Sequence, residues 1–400
     1  MKFAISFFSV LAVTSAVFAV GFEDFVKSAA IRNGFKPPSE VNSEFDPELA
    51  ALGGFFFGSK SLSLNGKIAC TTCHLDKFGS ADGIPNAIGV GGVGEGADRV
   101  KAGGAVVPRN TLALWGRGSH SFKTFFWDGK VDFANRKRIS QFGDKAPSDD
   151  PLIVAVHLPF VEIREMLVED KFVSKEKREE VGAAIRVYEK IVNQLVQSHP
   201  NEMGRLASVL GKPTTELAII DVATAIADFI RKKFAIRETK FSKFVFRNGS
   251  LSEQELRGAR IFYGKGKCSV CHSGPLFSNL YFHAVSFTQI GFGKNGFGID
   301  YGRFNVTHDP YDLYKFRTPP LLNVTKTAPY GHSGSLPSLE AAISQHFDPL
   351  RNFRPQEMGR LERIEFFRRI AASSSSVIFL PALTDEDVTD IVVFLGTIEF

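Results

Sequence analysis

Two short cysteine–histidine motifs are the residues of this 400-residue sequence best suited to chemistry. They follow the pattern C-x-x-C-H and use all four cysteines of the chain; their residues are Cys70, Cys73, His74, Cys268, Cys271 and His272. Residues three apart lie on one side of a helical turn, so both thiols can reach one porphyrin. C-x-x-C-H is the attachment pattern of c-type haem, in which the histidine binds the iron. The sequence therefore predicts two covalently bound haems.

Other uses of paired cysteines explain the motifs less well. A Cys₄ zinc site would have to join two knuckles that are far apart in the sequence, each followed by a histidine. Redox dithiols would not require the histidines, and a disulfide across a three-residue step would be strained. The haem interpretation uses every residue of both motifs.

The first 19 residues have the pattern of a signal peptide. Lys2 is basic, residues 3–20 form an apolar run, and Val17-Phe18-Ala19 offers a cleavage site. An uncleaved membrane anchor is the alternative, since the run is just long enough to span a bilayer. We expect cleavage and export, which in a Gram-negative cell means the periplasm.

Composition excludes two broad classes of protein. Hydrophobic residues make up 44% of the chain and charged residues 23%, which is ordinary for a globular protein and excludes a largely disordered chain. The formal net charge is +5, and the basic residues are scattered along the chain. A nucleic-acid-binding protein would show a basic patch, so we expect no nucleic-acid partner.

Helical patterns surround the second motif. Ser252 can cap a helix with Glu255 at the capping-box position, and apolar residues follow at helical spacing. Further helices are predicted over 223–234 and over 385–398, the latter amphipathic. The predicted fold class is mainly α, with two cytochrome c-type haem domains and extensive loops. We place these domains at 20–236 and 237–400.

Several longer motifs support a family resemblance. They are Pro108–Thr111, Phe126–Lys130, Gly274–Ser278, Asp300–Arg303, Phe316–Pro319 and Leu322–Ser335. Together with the two haem motifs, they resemble the bacterial di-haem cytochrome c peroxidase family, which includes the methylamine-utilisation enzyme MauG. The resemblance covers most of the mature chain, from about Leu52 to Leu395.

The resemblance implies a periplasmic oxidoreductase that reduces hydrogen peroxide to water. The N-terminal domain would be the peroxidatic one. The C-terminal haem would receive electrons from a small cytochrome c or another periplasmic donor. The alternative is a MauG-like enzyme that uses peroxide and a high-valent di-haem state to oxidise residues of a partner protein. A third class, a non-enzymatic electron carrier or sensor, would have no use for a distal acid–base group. The resemblance also allows a homodimer.

Two catalytic residues follow from the resemblance. The segment Pro159–Met166 matches the family segment that carries the acid–base glutamate, which selects Glu165, with Glu162 as the nearby rival. Such a group takes a proton from one peroxide oxygen and delivers it to the other. Trp127 matches the family's tryptophan between the haems, where it could relay electrons.

The first haem is expected to keep an open coordination position. Classical family members often place a histidine after the stretch matched here by 82–89, but this chain has Val90, which cannot bind iron. We therefore expect the His74 haem to be five-coordinate without prior reduction, as in MauG. The alternative is that His120 or His157 caps the iron.

The second haem is expected to have two histidine ligands. The family places its sixth ligand about four helical turns after the position matched by His332, and that count leads to His346. The predicted pair is His272 and His346, with Met358 as the rival. Histidine in place of methionine should lower the haem potential.

The resemblance also implies a calcium ion between the domains. Calcium takes oxygen ligands, including backbone carbonyls. The family's asparagine ligand matches Asn110, and its two carbonyl ligands match Thr327 and Pro329. The alternative is that these residues only shape turns.

Overall fold

The computed structural model describes residues 21–134, 138–167, 180–351, 353–373, 380 and 382–400. The predicted signal peptide lies outside the described residues. Among the described helices, none is both long enough and apolar enough to cross a bilayer.

Helices provide most of the regular structure. In chain order they are α1 (21–32), α2 (Pro47–Gly58), α3 (Ala97–Lys101), α4 (Pro151–His157), α5 (Glu180–Ser198), α6 (Pro200–Leu210), α7 (Ile219–Lys233), α8 (Lys240–Phe246), α9 (Glu253–Tyr263), α10 (Phe304–Thr307), α11 (Leu339–Phe347), α12 (Arg360–Ala371) and α13 (Asp385–Gly396). The prediction of a mainly helical chain is confirmed.

The described strands are each two residues long and pair one loop segment with another. They are β1 (Ala87–Ile88), β2 (Val106–Val107), β3 (Thr124–Phe125), β4 (Val131–Asp132), β5 (Phe282–His283), β6 (Phe292–Gly293), β7 (Gly296–Phe297) and β8 (Phe316–Arg317). They form the antiparallel pairs β1–β2, β3–β4, β5–β8 and β6–β7. No larger sheet occurs among the described residues, so the helices carry the core.

Two helix pairs of the same design dominate the packing. Helix α2 crosses α7 in the first half of the chain, and α9 crosses α13 in the second half. A glycine permits each crossing: a side chain on Gly53 would overlap the carbonyl oxygen of Ala225, and one on Gly258 would overlap that of Asp390. In each half, the first helix of the pair leads into a C-x-x-C-H motif.

Local sequence signals account for the helix ends. The backbone N–H of Glu255 donates to Ser252 Oγ at 3.3 Å, and the N–H of Ser252 donates to Glu255 Oε2 at 2.6 Å, which confirms the predicted capping box. The helix predicted over 223–234 is α7, which begins four residues earlier. The final predicted helix is α13, which ends at Gly396, and Thr397 follows as its C-cap residue.

The N-terminal helix α1 contacts the second half of the chain. Arg260 lies over the ring of Phe22, and Phe35 packs against Phe241 and Phe277. These rings belong to the apolar core that surrounds the helix pair of the second half. Residues 21–35 precede the first half in the chain but pack against the second half, so they connect the two.

Candidate active site

Two cavities lie beside the two C-x-x-C-H motifs. The N-terminal cavity, of about 200 Å³, is lined by Cys70, Cys73 and His74. The C-terminal cavity, of about 230 Å³, is lined by Cys268, Cys271 and His272. In each motif the first three residues form a turn of 3₁₀ helix, and the histidine N–H donates to the carbonyl of the first cysteine. The predicted helical turn is thus present at both motifs.

The motif histidines are oriented for metal binding. His74 Nδ1 donates to the Ser80 carbonyl at 2.9 Å, and His272 Nδ1 donates to the Phe277 carbonyl at 3.0 Å. The bonded Nδ1 fixes the tautomer and leaves Nε2 as the ligand atom. Burial lowers the pKa of both histidines to about 4, which keeps the rings neutral, as coordination requires. The residues of both cavities therefore fit a covalently attached haem.

The alternative uses of the cysteines find no support in the geometry. The four cysteines are not joined by disulfides. They lie two in each cavity, so they do not form a single Cys₄ site.

Two lysines and two glutamates are among the charged residues that line the N-terminal cavity. They are Lys130, Glu162, Glu165 and Lys294. Lys130 Nζ lies 2.9 Å from Glu162 Oε2, so these two side chains form an ion pair. Lys294 comes from the β6–β7 hairpin of the second half, and its Nζ lies 3.8 Å from Asp128 Oδ2. Both halves of the chain thus contribute to this cavity.

Glu165 is the carboxylate best placed to exchange a proton. Burial, and next the charge of Glu162, raise the pKa of Glu165 to about 7, while Lys130 and Lys294 oppose the increase. The pKa of Glu162 is lowered by its pairing with Lys130, although burial acts in the opposite direction. A carboxyl group with a pKa near neutrality can both accept and return a proton, whereas Glu162 stays ionised.

The loop that carries Val90 lies beside the Glu165 segment. The Val90 N–H donates to the Arg164 carbonyl at 2.9 Å. Arg99 holds the same loop, because its guanidinium donates to the carbonyls of Ile88, Gly89 and Gly92. The loop is thus fixed next to the Glu165 segment, and the Val90 side chain cannot bind iron.

Apart from His74, no described histidine or methionine lines the N-terminal cavity. The side chain of His120 is exposed. His157 is buried outside the cavity wall, where its Nδ1 donates to the Ile153 carbonyl at 2.7 Å. The structure therefore places neither predicted rival ligand in the cavity.

Trp127 lies in the wall between the two cavities. Five residues line both cavities: Asn110, Thr111, Leu112, Arg117 and Trp127. The Trp127 indole N–H donates to the Asn110 carbonyl at 2.9 Å. The next residue, Asp128, forms a buried ion pair with Arg109, whose Nε lies 2.8 Å from Asp300 Oδ2 in the second half. A buried network across both halves thus fixes the Trp127 loop.

The C-terminal cavity contains the predicted histidine pair. His272 and His346 both line it, and His346 Nδ1 donates to the Ala342 carbonyl at 2.8 Å, which leaves Nε2 free for a metal. Met358 does not line this cavity. His283 and His332 are also on the cavity wall, and His332 stacks on Phe316 with ring centroids 3.9 Å apart.

The three predicted calcium ligands lie on one side of the C-terminal cavity. Asn110, Thr327 and Pro329 all line it. Asn110 Nδ2 donates to the Pro329 carbonyl at 2.6 Å, so a cation held by both groups would need the amide turned to present its oxygen. The calcium site stays a prediction.

Four charged residues of the cavity walls were not predicted from the sequence: Lys130, Arg317, Arg117 and Lys294. Lys130 ends the Phe126–Lys130 motif and Arg317 lies in the Phe316–Pro319 motif, so a motif signal was present for these two. Arg117 and Lys294 lie in loops with no comparable signal. Only the assembled fold brings them to the cavities.

Comparison with known proteins agrees with this geometry. Residues 47–250 match the family model described as di-haem cytochrome c peroxidase. The chain is 25% identical to the methylamine utilization protein MauG of Methylorubrum extorquens, over 89% of this chain and 88% of that protein. It is also 25% identical to a cytochrome c551 peroxidase of Nitrosomonas europaea, over 89% and 86% of the two chains.

A solved structure shares the fold. It is the crystal structure of a MauG-like protein associated with microbial copper homeostasis, with a TM-score of 0.63, 23% identity, and coverage of 89% of this chain and 90% of that one. The family model spans half of the chain, including the first haem motif and the acid–base segment. The chain therefore belongs to the di-haem cytochrome c peroxidase family, a family of oxidoreductases that carry two c-type haems.

Proposed function

We propose that the protein reduces hydrogen peroxide to water at the N-terminal cavity. The observation that carries this proposal is the position of Glu165, with its pKa near neutrality, in a cavity whose single described histidine is His74. A haem held by Cys70, Cys73 and His74 would supply the iron site for peroxide and the route by which electrons enter. The reaction consumes one peroxide, two electrons and two protons, and yields two waters.

Glu165 performs the proton transfers in this proposal. Its carboxylate accepts a proton from one peroxide oxygen and returns it to the other, which leaves as water. The haem, when bound, would supply the iron and the electrons for cleavage of the O–O bond. Lys130 and Lys294 keep part of the Glu165 population ionised near neutral pH, because their positive charges oppose the effect of burial. The ion pair with Lys130 keeps the Glu162 carboxylate ionised and bonded, so Glu162 does not perform the proton transfers.

The C-terminal cavity receives the electrons. His272 and His346 would be the two iron ligands there, and Cys268 and Cys271 would hold the haem. Trp127, in the wall shared by the two cavities, is the proposed electron relay. The donor is a small cytochrome c or another periplasmic protein. Asn110, Thr327 and Pro329 are the proposed calcium ligands.

The domain division and the export of the protein are part of the same proposal. One haem domain covers 20–236 and the other 237–400, and the similar helix pairs of the two halves support this division. Helix α1 packs on the second domain although it precedes the first. A cleaved signal peptide over 1–19 would deliver the protein to the periplasm, where it could act as a homodimer.

A second candidate function is MauG-like oxidation of residues on a partner protein. The observation that favours it is the Val90 loop, which is fixed beside Glu165 and offers no ligand. A permanently open site could react with peroxide without first receiving electrons. The similarity to MauG of Methylorubrum extorquens supports this candidate as well.

Stopped-flow spectroscopy distinguishes the two candidates. The haem-loaded protein would be mixed with hydrogen peroxide, with and without a reduced small cytochrome c. Rapid catalytic oxidation of the cytochrome is the result expected for a peroxidase. A long-lived oxidised spectrum with the cytochrome still reduced would favour oxidation of a partner protein. Absence of any spectral response to peroxide would contradict both candidates.

A further inference from the structure

Two buried arginines beside the cavities have no acidic partner among the described residues. The side chain of Arg117 is 5% exposed and that of Arg317 is 0% exposed. In both, one guanidinium nitrogen, Nη2, is buried without a hydrogen-bond partner. The hydrogen bonds that they make go to backbone carbonyls. Arg117 Nε donates to the Ala113 carbonyl. Arg317 Nε donates to the Phe126 carbonyl, and Arg317 Nη1 donates to the Thr318 carbonyl.

The two guanidinium groups are close to one another. Both lie over the ring of Phe122, each with its central carbon 5.3 Å from the ring centroid. Burial lowers the pKa of Arg117 to about 9. Burial, and next the charge of Arg117, lower the pKa of Arg317, while the charge of Asp128 offsets only part of the decrease. Contact with an aromatic ring offsets only part of the cost of burying a cation. No described carboxylate forms an ion pair with either guanidinium, so a bound anion would complete the site.

The residues that carry the unpaired nitrogens line the cavities. Arg317 lines the C-terminal cavity, and Arg117 lines both cavities. Trp115 also lines the C-terminal cavity, and its indole N–H is buried without a partner. Buried donors are normally satisfied, so three such donors in residues that line the C-terminal cavity point to a ligand with acceptor oxygens.

We propose that Arg117 and Arg317 bind the propionate carboxylates of the two haems, with Arg117 shared between the haems and Arg317 restricted to the C-terminal one. This inference rests on the proposed placement of one haem in each cavity. A guanidinium presents paired donors that match a carboxylate, and the bond is charge-assisted. The propionates would supply the missing acceptors and neutralise both cations. Arg117 would then link the two haem groups through a single buried charge.

Single substitutions in the haem-loaded protein test the assignment. Loss of a cation beside a propionate stabilises the oxidised haem, so the midpoint potential should fall. Arg317→Gln should lower the potential of the C-terminal haem alone, whereas Arg117→Gln should lower both potentials. The resonance Raman bands of propionate bending should shift for the same haems. Arg117→Lys and Arg317→Lys keep the charge and should retain most of the wild-type potential.

Arg303→Gln is the matched control. Arg303 is also buried and lies over an aromatic ring, with its central carbon 4.1 Å from the centroid of Phe282, but its Nη2 is paired with Asp132 Oδ2 at 2.8 Å. It lines neither cavity, so its loss should leave the propionate bands unchanged.

The outcomes separate this inference from the proposed function. Unchanged potentials and unchanged propionate bands in both glutamine variants, with both haems bound, would overturn the arginine assignment and leave the peroxidase proposal intact. Equal shifts of both potentials in Arg317→Gln would overturn the division of roles. Failure of the wild-type protein to carry two haems would instead contradict the proposed function. If a glutamine variant does not fold, the lysine variants and their Raman bands give the answer.

Discussion

The N-terminal and C-terminal cavities begin from the same motif and differ in what faces it. The N-terminal cavity is lined by two glutamates and two lysines, and its single described histidine is His74. The C-terminal cavity is lined by further histidines besides His272, among them the proposed ligand His346, and its wall is mostly apolar. In the proposed function, the site with titratable groups and no second ligand breaks the peroxide bond, and the site with two histidine ligands transfers electrons. On that proposal the walls, rather than the attachment motif that both sites share, distinguish the two sites.

The largest expected effect tests the acid–base side of this contrast. Replacement of Glu165 by Gln removes the proton acceptor while keeping its shape. We expect kcat/KM for hydrogen peroxide to fall by about 100-fold to 10,000-fold, the usual range for loss of a general acid–base group. Steady-state kinetics with a reduced cytochrome c measure it.

Glu162→Gln is the control for that experiment. Glu162 is committed to its ion pair with Lys130, so its loss should cost much less activity. A larger loss in Glu162→Gln than in Glu165→Gln would transfer the acid–base role to Glu162.

The second prediction tests the ligand side of the contrast. His346→Met should raise the midpoint potential of the C-terminal haem, because methionine ligation favours the reduced iron. His346→Ala should convert this haem from low spin to high spin, as seen in electron paramagnetic resonance spectra. Met358→Leu is the matched control and should change neither property. Loss of the low-spin signal in Met358→Leu instead would make Met358 the ligand.

The third prediction concerns the helix pairs that support the two cavities. Gly53→Ala and Gly258→Ala place a methyl group against a carbonyl of the crossing helix, so both should destabilise the protein. We expect the free energy of unfolding to fall by about 1–3 kcal/mol in each, the typical cost of overpacking. Urea unfolding followed by circular dichroism measures the loss. A large loss in one variant and none in the other would break the parallel between the halves.

Gly204 provides the control for the glycine experiment. It lies within α6, and a side chain there would meet nothing within 4 Å. Gly204→Ala should therefore stabilise the protein slightly, by about 0.5–1 kcal/mol, because alanine favours the helix.

The sequence predicts the local features of this molecule well. The turns at the two haem motifs and the capping box at Ser252 depend on residues within a few positions of each other, so their patterns can be read directly. The same holds for α13, whose apolar spacing marks one buried face. These elements place the cysteines and histidines but not the groups that face them.

The composition of the cavity walls could not be read from the sequence in the same way. Lys294 reaches the N-terminal cavity from a glycine-rich hairpin of the other half, and Arg117 faces both cavities from a loop. Their roles depend on contacts between residues far apart in the chain. Gly53 and Gly258 could not be distinguished from other glycines for the same reason, since the carbonyls that they meet belong to distant helices.

The smallest expected effect concerns the pH dependence of the N-terminal cavity. In the proposed mechanism the carboxylate form of Glu165 accepts the peroxide proton, and the pKa of Glu165 is raised to about 7 by burial and by Glu162. As the pH falls through this value, the carboxylate becomes protonated and can no longer act as a base. We therefore expect kcat/KM for peroxide to rise with pH up to about 7 and then to level off.

Lys294→Gln should displace this profile, because the positive charge of Lys294 lowers the pKa of Glu165. Without that charge, the pKa of Glu165 rises, and the acid limb should move to higher pH by less than about one unit, as expected for a partly screened charge. Lys326→Gln is the control, since Lys326 is more exposed and pairs with Glu399 away from the cavity. An unmoved limb in Lys294→Gln would show that the hairpin of the second half does not act on Glu165. The N-terminal cavity would then owe its acid–base chemistry to the first half alone, and the contrast between the cavities would be one between two self-contained halves.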